Sequence, residues 1–410
     1  MISRIRYLVI SILLYSNFTF AQRVIPGAEV LLSESIDLIK GKNIGVVTNH
    51  SAILFNRTHL VDSLSKIDGV KIIALFGPEH GIRGDAPDGK KISSVKDEKT
   101  GAPIYSLYGE INKPTPEMLS NIDVLLFDIQ DVGARFYTYI STLYYCIEAC
   151  AENNIPLIVL DRPNPIGGNY IDGPVREPEL KSFVSIIPVP ISHGMTIGEI
   201  ALMINEELWT NSKSKCELTV IKMKNWSRSL YFDECNLPWI KPSPNITNVD
   251  SEILYPGLCL IEGTNLSEGR GTQSPFLQIG APFIKPDLLF NELNKYNIPG
   301  IEFDTISFVP ISIPNMSDNP KHKNQLCHGL KFSVTDRQKF ESVKFGVSLI
   351  YAINKLFPNQ FEFRKSIDRL YGKSDFKEKI RSFVNLKDIY NEWKSDLFLF
   401  ESIREKYLLY

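Results

Sequence analysis

The chain has 410 residues and 46.5 kDa, with 43% hydrophobic and 22% charged residues. That length suits one large domain or two, and the composition is that of a globular protein, which excludes a disordered chain, a collagen and a coiled-coil rod. With 45 basic against 47 acidic residues the formal charge is −2, so no overall charge draws the chain to nucleic acid or to an anionic membrane.

In chain order, the first segment reads MISRIRYLVISILLYSNFTFAQ. Arg4 and Arg6 precede an apolar run, Tyr7 to Tyr15, too short to span a bilayer comfortably, and Thr19 and Ala21 frame a cut before Gln22. This is the pattern of a signal peptide over residues 1–21, the alternative being a membrane anchor. Its removal leaves −4, an exported protein, periplasmic or extracellular, and no stable membrane insertion. The six cysteines are too few for a disulfide scaffold and lack C-x-x-C spacing. In an oxidising compartment they can pair, in an arrangement the spacing does not fix.

Four continuous apolar runs follow: Ile44–Thr48, Lys71–Phe76, Val124–Asp128 and Leu157–Asp161. Runs of this kind suit strands buried on both faces of a parallel sheet. Helical spacing falls between them at Thr58–Lys66 and Tyr139–Asn153, which gives the alternation of a doubly wound α/β sheet. Thr196-Ile-Gly-Glu199 is a capping box opening a helix to about Leu208, and Glu217–Met223 reads as another strand. Three prolines within residues 236–248 mark a boundary. We place one domain over 22–240 and a smaller α+β domain over 241–410. The second has strands at Ile301–Val309 and Leu330–Thr335, and helices at Pro286–Lys295, Arg337–Leu356 and across Leu386–Lys406.

Each buried strand runs into a polar loop: TNHS (48–51), GPEHGIRGD (77–85), DIQDVGARFYTY (128–139) and DRPNPIGG (161–168). In a parallel sheet all carboxyl ends lie on one edge, where ligands bind, so these loops converge on one site. Glu79, fixed in direction by its strand, is a candidate general acid; His80 beside it is a base, a substrate ligand or a structural histidine. Asp131 sits in a loop with Arg135, Tyr137 and Tyr139, a set that suits a sugar bearing a carboxylate: Arg forks the carboxylate and tyrosines pack on the sugar face. An internal ion pair with core tyrosines fits the same residues. Asp161 and Arg162 contact substrate or pair with each other, and Asn164 shapes that loop. His193, before the Thr196 helix, belongs to an anion site at the helix start or to its cap. In the second half, Glu262, Asn265, Glu268 and Arg270 of IEGTNLSEGRGT can reach across a cleft. The sequence has no P-loop, dinucleotide fingerprint, G-x-S-x-G elbow or H-E-x-x-H motif.

The stretches LFGPEHGIRGD, FDIQDVGARFYTY, LDRPNPIGG, SHGMTIGE, LPWIKPSPN, IEGTNLSEGRGT and LCHG resemble, in order and spacing, the NamZ family of bacterial exo-β-N-acetylmuramidases, from about Gly41 to the terminal KYLLY. TNHSAIL matches the family's TN-x-x-G-V only loosely, so no role is given to His50 or Ser51. The resemblance implies a Rossmann-like N-terminal domain, a smaller C-terminal domain, a site in the cleft between them, and release of N-acetylmuramic acid from the non-reducing end of peptidoglycan fragments. It puts Glu79 in the place of the proposed catalytic glutamate and implies no metal or organic cofactor. The lactyl carboxylate of that sugar calls for an anion site, with Arg83, Arg135, Arg162 and Arg270 as candidates. Asp131, Asp161 and Glu262 compete to be a second carboxyl, unless the 2-acetamido group serves as nucleophile. The alternative from another class is a periplasmic sugar- or muropeptide-binding protein; an amidase or esterase acting on the peptide or lactyl part is a further one.

Overall fold

The computed structural model describes residues 22–79, 81–82 and 96–410. The segment read as a signal peptide, with His80 and Arg83, lies outside the described residues.

The first half opens with helix α1 (Gly27–Glu34), strand β1 (Asn43–Thr48), helix α2 (Leu60–Leu64) and strand β2 (Lys71–Gly77). Strands β3 (Ile104–Ser106) and β4 (Val124–Asp128), helix α3 (Tyr139–Asn153), strand β5 (Leu157–Leu160), helix α4 (Ile197–Glu206) and strand β6 (Leu218–Ile221) complete it. The six strands form one parallel sheet in the order β3-β2-β1-β4-β5-β6. The continuous apolar runs are its inner strands. β4 and β5 are buried at every residue because both faces are covered. One face buries Ala28, Leu31, Leu60 and Leu64 of α1 and α2; the other buries α3 and α4 within a core that continues into the second half.

That second half contains helix α5 (Val249–Leu258), strand β7 (Gln278–Ala281), helix α6 (Pro286–Asn294), strands β8 (Ile301–Phe308) and β9 (Cys327–Val334), and helices α7 (Ser342–Leu356), α8 (Ile367–Tyr371), α9 (Phe376–Arg381) and α10 (Leu386–Arg404). Its sheet is antiparallel, β7-β9-β8. Residues 236–248 carry no helix or strand. α5 starts at once after them, capped by the Asn248 side chain, which accepts from the Ser251 N–H at 2.9 Å. It lies so close to α7 that a Cβ on Gly257 would stand 1.9 Å from the Ser342 carbonyl oxygen, so only glycine permits the approach.

Two buried arginines stitch the halves together. Arg135 donates to the carbonyls of Pro174 and Val189 in the first half, and of Leu370 and Tyr371 in the second. Arg404, at the end of α10, donates to those of Gly168 and Gly194. The last residues then run onto the first half: the Leu409 N–H donates to Glu199 and the Tyr410 hydroxyl to Asp161. All six cysteines are free and buried. Among the described residues no helix is long and apolar enough to cross a membrane.

Candidate active site

The carboxyl ends of β2, β4 and β5 bring Glu79, the 128–139 loop and the 161–168 loop to one edge, as parallel pairing requires. Glu79 follows β2 by two residues and is half-buried; the Thr138 hydroxyl donates to its Oε2 at 3.2 Å. The 128–139 loop therefore reaches the glutamate from two strands away.

Many of that loop's polar groups are spent on holding it. Asp128 takes a two-pronged ion pair from Arg162, at 2.5 and 2.9 Å, with both side chains buried. The Gln130 amide donates to the carbonyls of Asp131 and Pro163. Gly133 has φ +80°, and a Cβ there would stand 2.4 Å from the Asn164 side-chain oxygen, so glycine is required twice over. Tyr137 and Tyr139 meet edge to face at 4.8 Å, and the Tyr139 hydroxyl donates to the Pro242 carbonyl at 2.8 Å. Burial pushes both phenols above the ordinary range, so both are neutral hydrogen-bonding groups.

Asp131 differs from its neighbours. It is 5% exposed, and its Oδ2 accepts from the Gly133 N–H at 2.9 Å. Its Oδ1 has no hydrogen-bond partner among the described residues. Burial raises it from 3.8 to about 7, so it gains and loses a proton near neutrality. His193 lies 3.8 Å away, fully buried, and burial together with Arg404 and Arg135 lowers it to about 3. The ring is neutral, with Nδ1 accepting from the Met195 N–H at 3.2 Å.

Several residues that the sequence offers for substrate contact have other partners. Arg135 spends its two terminal nitrogens on four carbonyls and forks no carboxylate among the described residues. Arg162 is held by Asp128, so the ion pair forms there and not with Asp161. Asp161 is fully buried: Oδ1 accepts from the Arg162 and Gly198 N–H groups, and Oδ2 from the Thr196 and Tyr410 hydroxyls. The group at the start of α4 is thus the chain's own Asp161, each of whose oxygens already accepts two hydrogen bonds. Asn164 bridges the Met195 carbonyl and the Ile166 N–H as a loop brace.

In the second half, Glu262 accepts from the Arg270 guanidinium at 2.9 and 3.1 Å. Glu268 pairs with Arg270 at 3.5 Å and with Lys321 at 2.9 Å. Asn265 ties its own loop to the Gln360 carbonyl and the Glu362 N–H. Thr138 and Lys321 escape a reading of the sequence. A threonine between two tyrosines carries no signal of its own.

Two family models match the chain: exo-β-N-acetylmuramidase NamZ, N-terminal, over residues 44–250, and its C-terminal counterpart over residues 253–410. The peptidoglycan β-N-acetylmuramidase NamZ of Bacillus subtilis (strain 168) is 49% identical over 390 residues, which are 95% of this chain and 92% of that protein. Crystal structures of two DUF1343 family proteins of Bacteroides fragilis NCTC 9343 superpose with TM-scores of 0.87 and 0.80 at 34% and 36% identity. Each comparison covers 95% of this chain and 99% of the other. Matches over both halves therefore place this chain in the NamZ family of exo-β-N-acetylmuramidases.

Proposed function

We propose that the protein is an exo-acting glycoside hydrolase that releases N-acetylmuramic acid from the non-reducing end of peptidoglycan fragments, outside the cytoplasm. The observation that carries the reading is the position of Glu79: a half-buried carboxyl at the carboxyl end of a parallel strand, oriented by Thr138 from the neighbouring loop. Such a group can protonate the departing glycosidic oxygen. Asp131, with one oxygen unpartnered among the described residues and a proton lost near neutrality, is the first candidate for its partner, as base or as acceptor for the acetamido N–H. Glu262 is the second candidate, tied to Arg270 in the structure. The basic and then apolar N-terminal segment supports export.

The test is cleavage of p-nitrophenyl β-N-acetylmuramide, with the N-acetylglucosamine glycoside beside it. Wild type should cleave the muramic substrate, and Glu79→Gln should lose about two orders of magnitude or more in turnover with its circular dichroism unchanged. An unaltered rate in Glu79→Gln removes Glu79 from the mechanism. A folded wild type that binds muropeptides and cleaves neither glycoside is a binding protein.

A further inference from the structure

Asn49 is the first residue past β1. That strand lies between β2 and β4, and its register pairs Val47 with Phe76 and Thr48 with Asp128. Asn49 therefore leaves the sheet between the chain that carries Glu79 and the chain that carries Asp131. It is fully buried, and its amide has one orientation. Oδ1 accepts from the Ser51 N–H at 3.0 Å and from the Ser51 hydroxyl at 2.5 Å, so a flipped amide would set its own hydrogens against a donor. The Ser51 Oγ in turn accepts from the Gln130 N–H at 3.1 Å, and Gln130 directly precedes Asp131. Two hydrogen bonds thus tie the Asn49 amide to the Asp131 loop. On the other side of that amide, Nδ2 is sealed from solvent and has no hydrogen-bond partner among the described residues, just as Asp131 Oδ1 has none. Burial aside, the Tyr139 phenol feels Tyr137, Glu79, Asn49 and Asp131 together, while its own hydrogen goes to the Pro242 carbonyl.

We propose that Asn49 is a binding residue for the 2-acetamido group of the sugar: its Nδ2–H donates to the acetamido carbonyl, while Asp131 Oδ1 accepts from the acetamido N–H. The proposal rests on the reading that an N-acetylated sugar is cleaved at Glu79. A secondary amide carries one donor and one acceptor, on opposite edges. The strand ends offer the complement, one buried donor and one buried acceptor without partners among the described residues, joined through Ser51. Position argues the same way. The acetamido group stands on the carbon next to the one whose bond breaks, so its partners must lie beside the acid, and Asn49 lies between the Glu79 and Asp131 chains. A structural role accounts for Oδ1, which holds Ser51, and leaves Nδ2 unexplained. A buried amide hydrogen without an acceptor is unfavourable, and a ligand carbonyl removes that penalty. The two residues then divide the recognition. Asp131 would accept from a free amine as readily as from an amide. Nδ2 needs an acceptor, and only the acylated sugar supplies one there. Asn49 is thus the residue that selects for acylation.

The experiment is calorimetry with N-acetylmuramic acid and with muramic acid, the same sugar bearing a free amine, on wild type, Asn49→Asp and Asn49→Ala. Wild type should bind the acetylated sugar about tenfold or more tightly than the amine. Asn49→Asp keeps the oxygen that holds Ser51 and puts an acceptor in place of the donor. It should lose about tenfold or more on the acetylated sugar and none on the amine, so that the preference vanishes or reverses. Asn49→Ala should lose a similar factor on the acetylated sugar and stay within about threefold on the amine. A folded variant that keeps the wild-type preference overturns the proposal. So does an equal loss on both sugars, which is the mark of a brace for Tyr139, and so does a wild type that binds neither sugar or both alike. Should neither Asn49 variant fold, an unchanged preference in Asp131→Asn overturns the paired site. Cleavage of p-nitrophenyl β-N-acetylmuramide by wild type is measured alongside. Its absence with the preference intact sinks the hydrolase reading and leaves the acetamido site standing; its presence without a preference sinks the site alone.

Discussion

Asp131 and Asp161 make a natural pair. Both follow buried parallel strands, both are sealed from solvent, and burial raises both to about 7. Asp161 accepts four hydrogen bonds, two on each oxygen, and joins β5, the start of α4 and the end of the chain. Asp131 accepts one, on Oδ2, and keeps Oδ1 free among the described residues. The difference teaches that a raised, buried carboxyl is not by itself a mark of function. Spare hydrogen-bonding capacity is what separates the two, because a carboxyl saturated by its own fold has little left to offer a ligand.

The widest separation of the two should come from their removal. Asp161→Ala strands two hydroxyls and two N–H groups, and should cost about 3 kcal/mol or more of stability. Asp131→Asn frees no comparable set, and should leave the fold intact while lowering kcat/KM by about ten- to a hundredfold. Urea unfolding and the nitrophenyl assay read both effects. Equal stability loss in the two variants would erase the distinction.

A second separation uses pH. Asp131 is raised in the folded chain from 3.8 to about 7, so the folded state binds the extra proton. Its contribution is therefore greatest at acid pH and is lost as pH climbs through about 7. The Asn variant cannot ionise, and should gain on wild type by more than about 1 kcal/mol between pH 5 and pH 8. His193, lowered to about 3, has the opposite sign: its contribution is present above 6.5 and lost as pH falls. Both proteins carry it, so it cancels in the difference. A difference that does not change with pH would mean that Asp131 is ionised throughout.

Much of this geometry can be read in the chain itself. Continuous apolar runs mark β1, β2, β4 and β5, and the apolar stretch of helical character before the fourth run is α3, Tyr139–Asn153. Strand ends then direct attention to Glu79 and Asp131. Local signals fail where the deciding partner is remote in sequence. Arg135 beside two tyrosines looks like an anion clamp, yet two of its acceptors, Leu370 and Tyr371, lie 235 and 236 residues away. Asp161 looks like a ligand-edge carboxylate because its Tyr410 donor is 249 residues distant. α5 is masked by the prolines before it and by Pro256 within it. β7 is four residues long, too short for any pattern, and β9 begins at Cys327 rather than Leu330 because Cys327 and His328 complete its register with Phe308 and Ser307.

The smallest expected effect is the sharpest test of what saturates Asp161. Tyr410 donates to Asp161 at 2.7 Å, accepts from the Met223 N–H at 2.7 Å, and packs edge to face on Trp226 at 5.1 Å. Tyr410→Phe keeps the ring and removes both hydrogen bonds. Thr196 still donates to the same carboxylate oxygen, so the loss should be about 1 kcal/mol, well short of that in Asp161→Ala. Turnover on the nitrophenyl muramide should stay within about twofold, because the tail braces the far side of β5 and not the loop that holds Glu79. A large fall in turnover with stability unchanged would mean that the chain terminus reaches the reaction through Asp161 after all, and the two aspartates would then differ in degree instead of in kind.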